Sequence, residues 1–138
     1  MIVETPGIRS QITFLYYRDL APIEKFYGQA LGLDLVEDQG WAKIYAIGGN
    51  AFIGIVGGES AFHQPQDENA VLLTLVVDDV DTWYATLKAR GVNLLTGVRE
   101  MESIQVRGFF LTDPGGYTLE IQQFLDPDVA RLFRQSGQ

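Results

Sequence analysis

Few side chains in this sequence are equipped for chemistry, and the one whose setting demands an account is Glu120. It sits in the run Tyr117-Thr118-Leu119-Glu120-Ile121-Gln122. In a strand, Thr118, Glu120 and Gln122 share one face while Tyr117, Leu119 and Ile121 share the other. A carboxylate in so apolar a strand is costly unless a metal, a cation or a hydrogen-bond donor meets it. Three roles are open to it. It can be a satisfied acid paired with Arg107, with a tyrosine hydroxyl, or with Thr118 and Gln122. It can meet the cationic or donor part of a ligand at the mouth of a pocket. Or it can act as a general base, its pKa raised by apolar surroundings, in a metal-independent proton transfer.

The other reactive residue types are scarce. There is one histidine, His63, and no cysteine, which excludes disulfides, thiolate metal sites, a cysteine nucleophile and a two-histidine metal site within one chain. His63 lies in the polar stretch 57–69 and reads as a solvated surface residue, with gating of a binding site by that loop as the alternative. Ser60 and Ser103 have no histidine–acid pair nearby in sequence. Gly48-Gly49 and Gly57-Gly58 do not precede a helix beginning with Lys-Ser/Thr, so neither is a phosphate-binding loop.

The chain that must position these groups has 138 residues, 46% of them hydrophobic, enough for one compact domain. Its net charge of −8 repels phosphate backbones, so nucleic acid is not an expected partner. No apolar run approaches the roughly 18 residues of a membrane span, so no membrane partner is expected either. The first residues lack a basic region followed by an apolar core, and a cytoplasmic protein is expected.

Gln11 to Tyr17 reads as a buried strand. A helix follows, with Asp19 as its cap, Pro22 in its first turn, and Ile23, Phe26, Tyr27, Ala30 and Leu31 on one face. Gly32 ends it. Strands are expected at 33–37, 41–47 and 51–56, with a turn at Gly48-Gly49-Asn50. After the 58–69 linker the pattern repeats. Val71 to Val77 is a strand, Asp79 or Asp81 caps a helix carrying Val80, Trp83, Tyr84 and Leu87, and Gly91 stops it. A short strand at 92–95 and a hairpin from Phe109 to Phe124, turning at Asp113-Pro114-Gly115-Gly116, complete the set. Leu15 aligns with Leu75, Asp19 with Asp79, and Gly32 with Gly91 after one deletion. The fold expected is α+β: two tandem β-α-β-β-β modules, about 9–57 and 70–124, forming a cup-shaped, partly open mixed sheet with helices outside. A terminal helix over about 126–135 follows.

Arg18-Asp19-Leu20, Phe26-Tyr27, Leu31-Gly32-Leu33, Val77-Asp78-Asp79-Val80, Arg90-Gly91-Val92 and the run from Phe110 to Ile121 together resemble the vicinal oxygen chelate superfamily. That group includes glyoxalase I, extradiol dioxygenases, and fosfomycin- and bleomycin-resistance proteins. The resemblance implies a ligand-binding cup whose metal-using members hold a divalent ion from the first and last strands of each half. It places those ligand positions at Ile12, Leu72 and Glu120, with Ile53 as the counterpart of Glu120, or Gly54 after a slip of one. Hydrocarbon side chains donate to no metal, and one carboxylate cannot hold the ion alone, so neither a metal nor any other cofactor is expected. The expectation is a metal-free protein, resembling the drug-sequestering members, that binds a small organic molecule and pairs as a homodimer. The alternative is a lyase or dioxygenase with an atypical metal site or with Glu120 as base. Ile12, Phe14, Tyr16, Trp41, Tyr45, Phe52, Leu72, Thr74, Arg107, Phe110 and Glu120 are the candidate ligand-binding residues.

Overall fold

A computed structural model describes residues 4–134. Its strands are β1 (Gln11–Tyr16), β2 (Asp34–Asp38), β3 (Ala42–Gly48), β4 (Ala51–Val56), β5 (Leu72–Val76), β6 (Arg99–Met101), β7 (Val106–Thr112) and β8 (Thr118–Phe124). The helices are α1 (Ala21–Lys25), which runs on into a π-helical turn at Phe26–Ala30, α2 (Val80–Ala89) and α3 (Pro127–Leu132). Two four-stranded mixed sheets result, ordered β1-β4-β3-β2 and β5-β8-β7-β6. The orders are the same, so the sequence repeat is a repeat of topology. In each sheet the first strand lies parallel to the last, β1 on β4 and β5 on β8, and the remaining pairs are antiparallel. The fold is α+β, as expected.

Local chemistry sets the element ends. Asp79 caps α2, its carboxylate accepting from the backbone N–H of Thr82 and from the Thr82 hydroxyl. Asp19 sits one residue further out than a cap, accepting from the N–H of Ala21 at 3.2 Å. Gly32 and Gly91 stop their helices at φ +72° and +76°, a conformation costly for any residue with a Cβ.

Two expectations need correction. The stretch 92–95 forms no strand: Leu94 makes an isolated bridge to Leu111, flanked by backbone hydrogen bonds from Leu95 to Phe110 and from Thr112 to Asn93. The outer strand of the second sheet is instead Arg99–Met101, three exposed residues with no apolar alternation to reveal them. The terminal helix occupies Pro127–Leu132 rather than 126–135, and residue 135 lies outside the described residues. Residues 1–3, on which the signal-peptide reading partly rests, also lie outside them.

One core serves both sheets. Leu15, Tyr45, Ile53 and Ile55 from the first sheet join Leu75, Phe109, Leu111, Leu119 and Ile121 from the second, with Ile23, Phe26 and Tyr27 from α1 and its π turn and Val80 and Leu87 from α2. Burying an aliphatic or aromatic side chain of this size contributes about 1.5–3 kcal/mol, so this shared cluster is the main reason for the halves to stay together. A buried polar contact fixes how they meet. Asp113, in the β7–β8 turn and 4% exposed, accepts from the hydroxyls of Tyr17 and Tyr27 in the first half and from the N–H groups of Gly115 and Tyr117 in its own turn. The Tyr117 hydroxyl returns to the backbone of Tyr16, accepting from its N–H at 3.1 Å. Among the described residues no salt bridge reaches Asp113; four hydrogen-bond donors meet its carboxylate.

Candidate functional site

The helices and the core occupy one face of each sheet, and strand alternation sends every second residue to the opposite, open face. On the first sheet the cross-strand register gives three rows: Ile12–Phe52–Ala46, Phe14–Gly54–Ile44 and Tyr16–Val56–Ala42, the last with Val56 and Ala42 buried. On the second sheet the equivalent rows are Leu72–Thr118–Thr112, Thr74–Glu120–Phe110 and Val76–Gln122–Gly108. Directly paired residues project their side chains to the same side, so each row is a line of neighbouring groups. Ile12, Phe14, Leu72 and Val76 are 39–49% exposed, large apolar groups left open on β1 and β5.

Eight of the eleven candidate residues lie in these rows: Ile12, Phe14, Tyr16, Phe52, Leu72, Thr74, Phe110 and Glu120. Three do not. Tyr45 pairs with Ile53 on the helix-facing side and is 3% exposed, a core residue. Burial raises its phenol pKa above the usual value. Arg107 is opposite Gln123, on the face turned to α2, where its guanidinium donates to both oxygens of Asp81 and lies 3.8 Å from Glu100. Hydrogen bonding to Asp81 raises its pKa. Trp41 precedes β3 and lines a shallow cavity of about 410 Å³ with residues 57–60, apart from the rows. All three were picked for residue type, and strand parity separates Tyr45 and Arg107 from the rest.

Glu120 is met by a hydrogen-bond donor, though by none of the particular side chains named for it. Its Oε1 accepts from the hydroxyl of Thr74 at 2.9 Å, across the parallel β5–β8 pair, and its side chain is partly open to solvent. Its counterpart on the first sheet is Gly54, not Ile53. Phe14 pairs with Gly54 as Thr74 pairs with Glu120, while Ile53 is fully buried on the core side. Aligning the glycine pairs of the two turns misleads by one residue, because Gly48-Gly49 falls one step earlier in its loop than Gly115-Gly116 does. At Gly54 a Cβ would come within 2.3 Å of the Phe14 ring, so the space that mirrors the Glu120 side chain is filled by an aromatic ring.

The sequence reading gave His63 a solvated surface place, with gating by its loop as the alternative, and the structure puts the residue against the first sheet. His63 is edge-on to Tyr16, ring centroids 5.3 Å apart, and edge-on to Phe62 at 4.6 Å. A cavity of about 310 Å³ opens there, with Phe14 and Tyr16 on one side, His63, Gln64 and Gln66 on another, and Val71 and Tyr117 from the second half. The signal available in sequence was weak: an aromatic pair, Phe62-His63, in an otherwise polar loop.

A divalent ion held from the first and last strands would need donors at Ile12, Gly54, Leu72 and Glu120. Only Glu120 has one. Among the described residues no three His, Cys, Asp or Glu side chains cluster where they could hold an ion. The side chains at these positions do not fit a metal.

A sequence profile for the Glyoxalase/Bleomycin resistance protein/Dioxygenase superfamily matches residues 9–121. Among solved structures, a glyoxalase/bleomycin resistance protein/dioxygenase from Nocardioides is similar with a TM-score of 0.71 and 19% identity, over 99% of this chain and 92% of that one. TioX from Micromonospora sp. ML1 gives 0.71 and 15%, over 84% and 98%. Lactoylglutathione lyase from Agrobacterium tumefaciens gives 0.67 and 18%, over 86% and 96%. At these identities the likeness is one of fold. No curated protein matches the chain at a significant level. Among the described residues no helix is long and apolar enough to cross a membrane.

Proposed function

The chain belongs to the glyoxalase/bleomycin resistance protein/dioxygenase superfamily, and within it we propose a metal-free binder of a small organic molecule, partly aromatic or cationic. One observation carries the reading. Of the four positions from which an ion would be gripped, three have no donor atom, and the space beside Gly54 belongs to the Phe14 ring. The same face suits stacking. Phe14 and Tyr16 on β1 and Phe52 on β4 offer rings on the first sheet, and Phe110 on β7 offers one on the second, each worth about 1 kcal/mol beyond burial when a ligand stacks well. Glu120, anchored through Oε1 by Thr74, presents its carboxylate to a cation or an N–H group. Sequestration of an antibiotic in the cytoplasm is the concrete form of this activity.

The site is completed by a second copy of the chain. Ile12, Phe14, Leu72 and Val76 leave large apolar groups open on β1 and β5, each an edge strand of its sheet. Unpartnered apolar surface on sheet edges favours association.

A metal assay on protein purified without chelator, paired with a thermal-shift screen of aromatic antibiotics and catechols, tests the proposal. The expected result is sub-stoichiometric Zn, Ni, Mn and Fe together with a stabilising ligand. At about 100 times its Kd such a ligand raises stability by roughly 2.7 kcal/mol. Stoichiometric metal bound through Glu120 overturns it. A second reading has Glu120 acting as a base on the bound molecule, favoured by its partial exposure beside a single hydroxyl partner. It is distinguished by turnover that Glu120→Gln abolishes without loss of binding.

A further inference from the structure

A large cavity lies beside α1 and the end of α2, touching the open-face rows only at Thr112. It holds about 810 Å³, within the usual range for small-molecule sites, and lies where the two halves meet. The first half contributes Pro22, Lys25, Phe26, Gln29 and Ala30, which recur on one face of α1 and the π turn. The second half contributes Arg90 to Asn93, after α2, and Thr112 to Pro114, at the β7–β8 turn. Apart from Thr112, no residue of the open-face rows lines this groove.

Its charge runs against that of the protein. In a chain of net charge −8, the two cations lining the groove, Lys25 and Arg90, have no carboxylate within 4.0 Å among the described residues; the same holds for Arg9, Lys88 and Arg99, but these do not line it. The acid in the lining is Asp113, and its oxygens are already taken by two tyrosine hydroxyls and two backbone N–H groups. It therefore stabilises the floor rather than neutralising the rim.

Arg90 is held in place across the seam, Nη1 donating to the carbonyl of Ala30 at 2.7 Å, with the rest of its fork left for another acceptor. Ala30 closes the π turn, where Leu31 donates to Phe26 rather than to Tyr27, and such turns often occur at functional sites. Asn93 is also fixed, its amide donating to the Thr112 hydroxyl at 2.8 Å. Phe26, Val92 and Pro114 supply an apolar wall.

We propose that this groove is a second binding site, for an organic carboxylate with an apolar ring, its charge held between Lys25 and Arg90 and its ring against Phe26 and Val92. A ligand there touches both halves, so it stabilises their relative placement as well as itself. The probe is sodium 2-naphthoate, titrated into the full chain and followed by backbone amide NMR, with neutral 2-naphthamide alongside. Saturable shifts are expected at residues 25–30, 90–93 and 112–114, with naphthamide at least tenfold weaker. Lys25→Glu reverses an exposed charge without disturbing the seam, and it should weaken naphthoate at least tenfold. Arg90→Lys keeps the charge but loses the fork and should weaken it less. Shifts confined to the open-face strands, equal binding of the amide, an unaffected Lys25→Glu variant, or no saturable shift at all would each overturn the proposal. Shifts confined to the open-face strands would count for the open-face binder while overturning this proposal; the other outcomes leave that binder untouched, since its own test reads metal content and other ligands.

Discussion

The two sheets share strand order and one core, yet their open faces carry opposite chemistry. On the first, the central row is Phe14–Gly54–Ile44; on the second it is Thr74–Glu120–Phe110. The first sheet removes the side chain from β4 and lays a ring over the gap. The second keeps a carboxylate and binds it to a hydroxyl from the neighbouring strand. The core sides, by contrast, match in kind: Leu15 with Leu75, Ile53 with Leu119, Ile55 with Ile121, all buried. Packing constrains one side of each sheet to stay apolar and close-packed, whereas the open side is free to diverge. Open faces that diverge where the core sides agree are what an asymmetric ligand, apolar at one end and polar at the other, would require.

The largest effect should come from the contact that joins the halves. Asp113→Ala leaves two buried tyrosine hydroxyls and two N–H groups without their acceptor. A loss of about 3 kcal/mol is expected, measured by urea unfolding. Because the core is common to both sheets, far-UV circular dichroism and tyrosine fluorescence should lose signal in one transition. Two separate transitions would show that the sheets fold independently, and the comparison would then be between two domains.

Alkaline titration probes the same junction. Burial, reinforced by the neighbouring Asp113 charge, pushes the Tyr17 and Tyr27 phenols far above their ordinary pKa of 10.0. Folded, they keep their protons at a pH where the unfolded chain gives them up. Their contribution is therefore complete below pH 10 and declines as pH rises beyond it. Absorbance at 295 nm should show Tyr17 and Tyr27 ionising only together with unfolding. Early ionisation of all six tyrosines, with structure retained, would contradict the burial of this contact.

Much of this was legible in the sequence, because the signals behind the fold are redundant. Apolar periodicity, a cap at Asp79, glycines at both helix ends and the repeat all agree, and one error among them does not change the outcome. The outer strand Arg99–Met101 was not legible, since all three residues are exposed and only pairing with β7 makes them a strand. The open face was legible by parity alone. Once β1, β5 and β8 were in register, most of the open-face residues followed. Tyr45 and Arg107 were not placed, because nothing in residue type distinguishes a tyrosine that faces the core from one that faces a ligand. The Gly54 assignment turned on a one-residue difference between two loops, which sequence similarity cannot resolve.

An intermediate effect tests whether Phe14 replaces the missing side chain. Gly54→Ala puts a Cβ where the ring lies, so a loss of about 1–2 kcal/mol is expected from displacing it. In Phe14→Ala/Gly54→Ala the clash is gone, and the two changes should couple by about 1 kcal/mol in a double-mutant cycle. Additive losses would mean that the ring and the glycine are unrelated, and the open faces would differ by accident.

The smallest effect on stability, and the most informative for function, belongs to Glu120→Gln. The amide oxygen can still accept from Thr74 and the group is partly exposed, so stability should change by no more than about 0.5 kcal/mol. Binding responds differently. If the carboxylate meets a cation or a charged N–H group, losing its charge weakens that ligand roughly tenfold, the effect of about 1.4 kcal/mol in a charge-assisted hydrogen bond. Calorimetry on the ligand found by thermal shift, with Phe14→Ala measured in parallel, separates the contributions of the two sheets. Phe14→Ala should weaken aromatic ligands whatever their charge, while Glu120→Gln should discriminate among them by charge. Equal losses across charged and neutral ligands for Glu120→Gln would leave the carboxylate a partner of Thr74 and nothing more. The polar row would then be a structural variation on the apolar one rather than its functional complement.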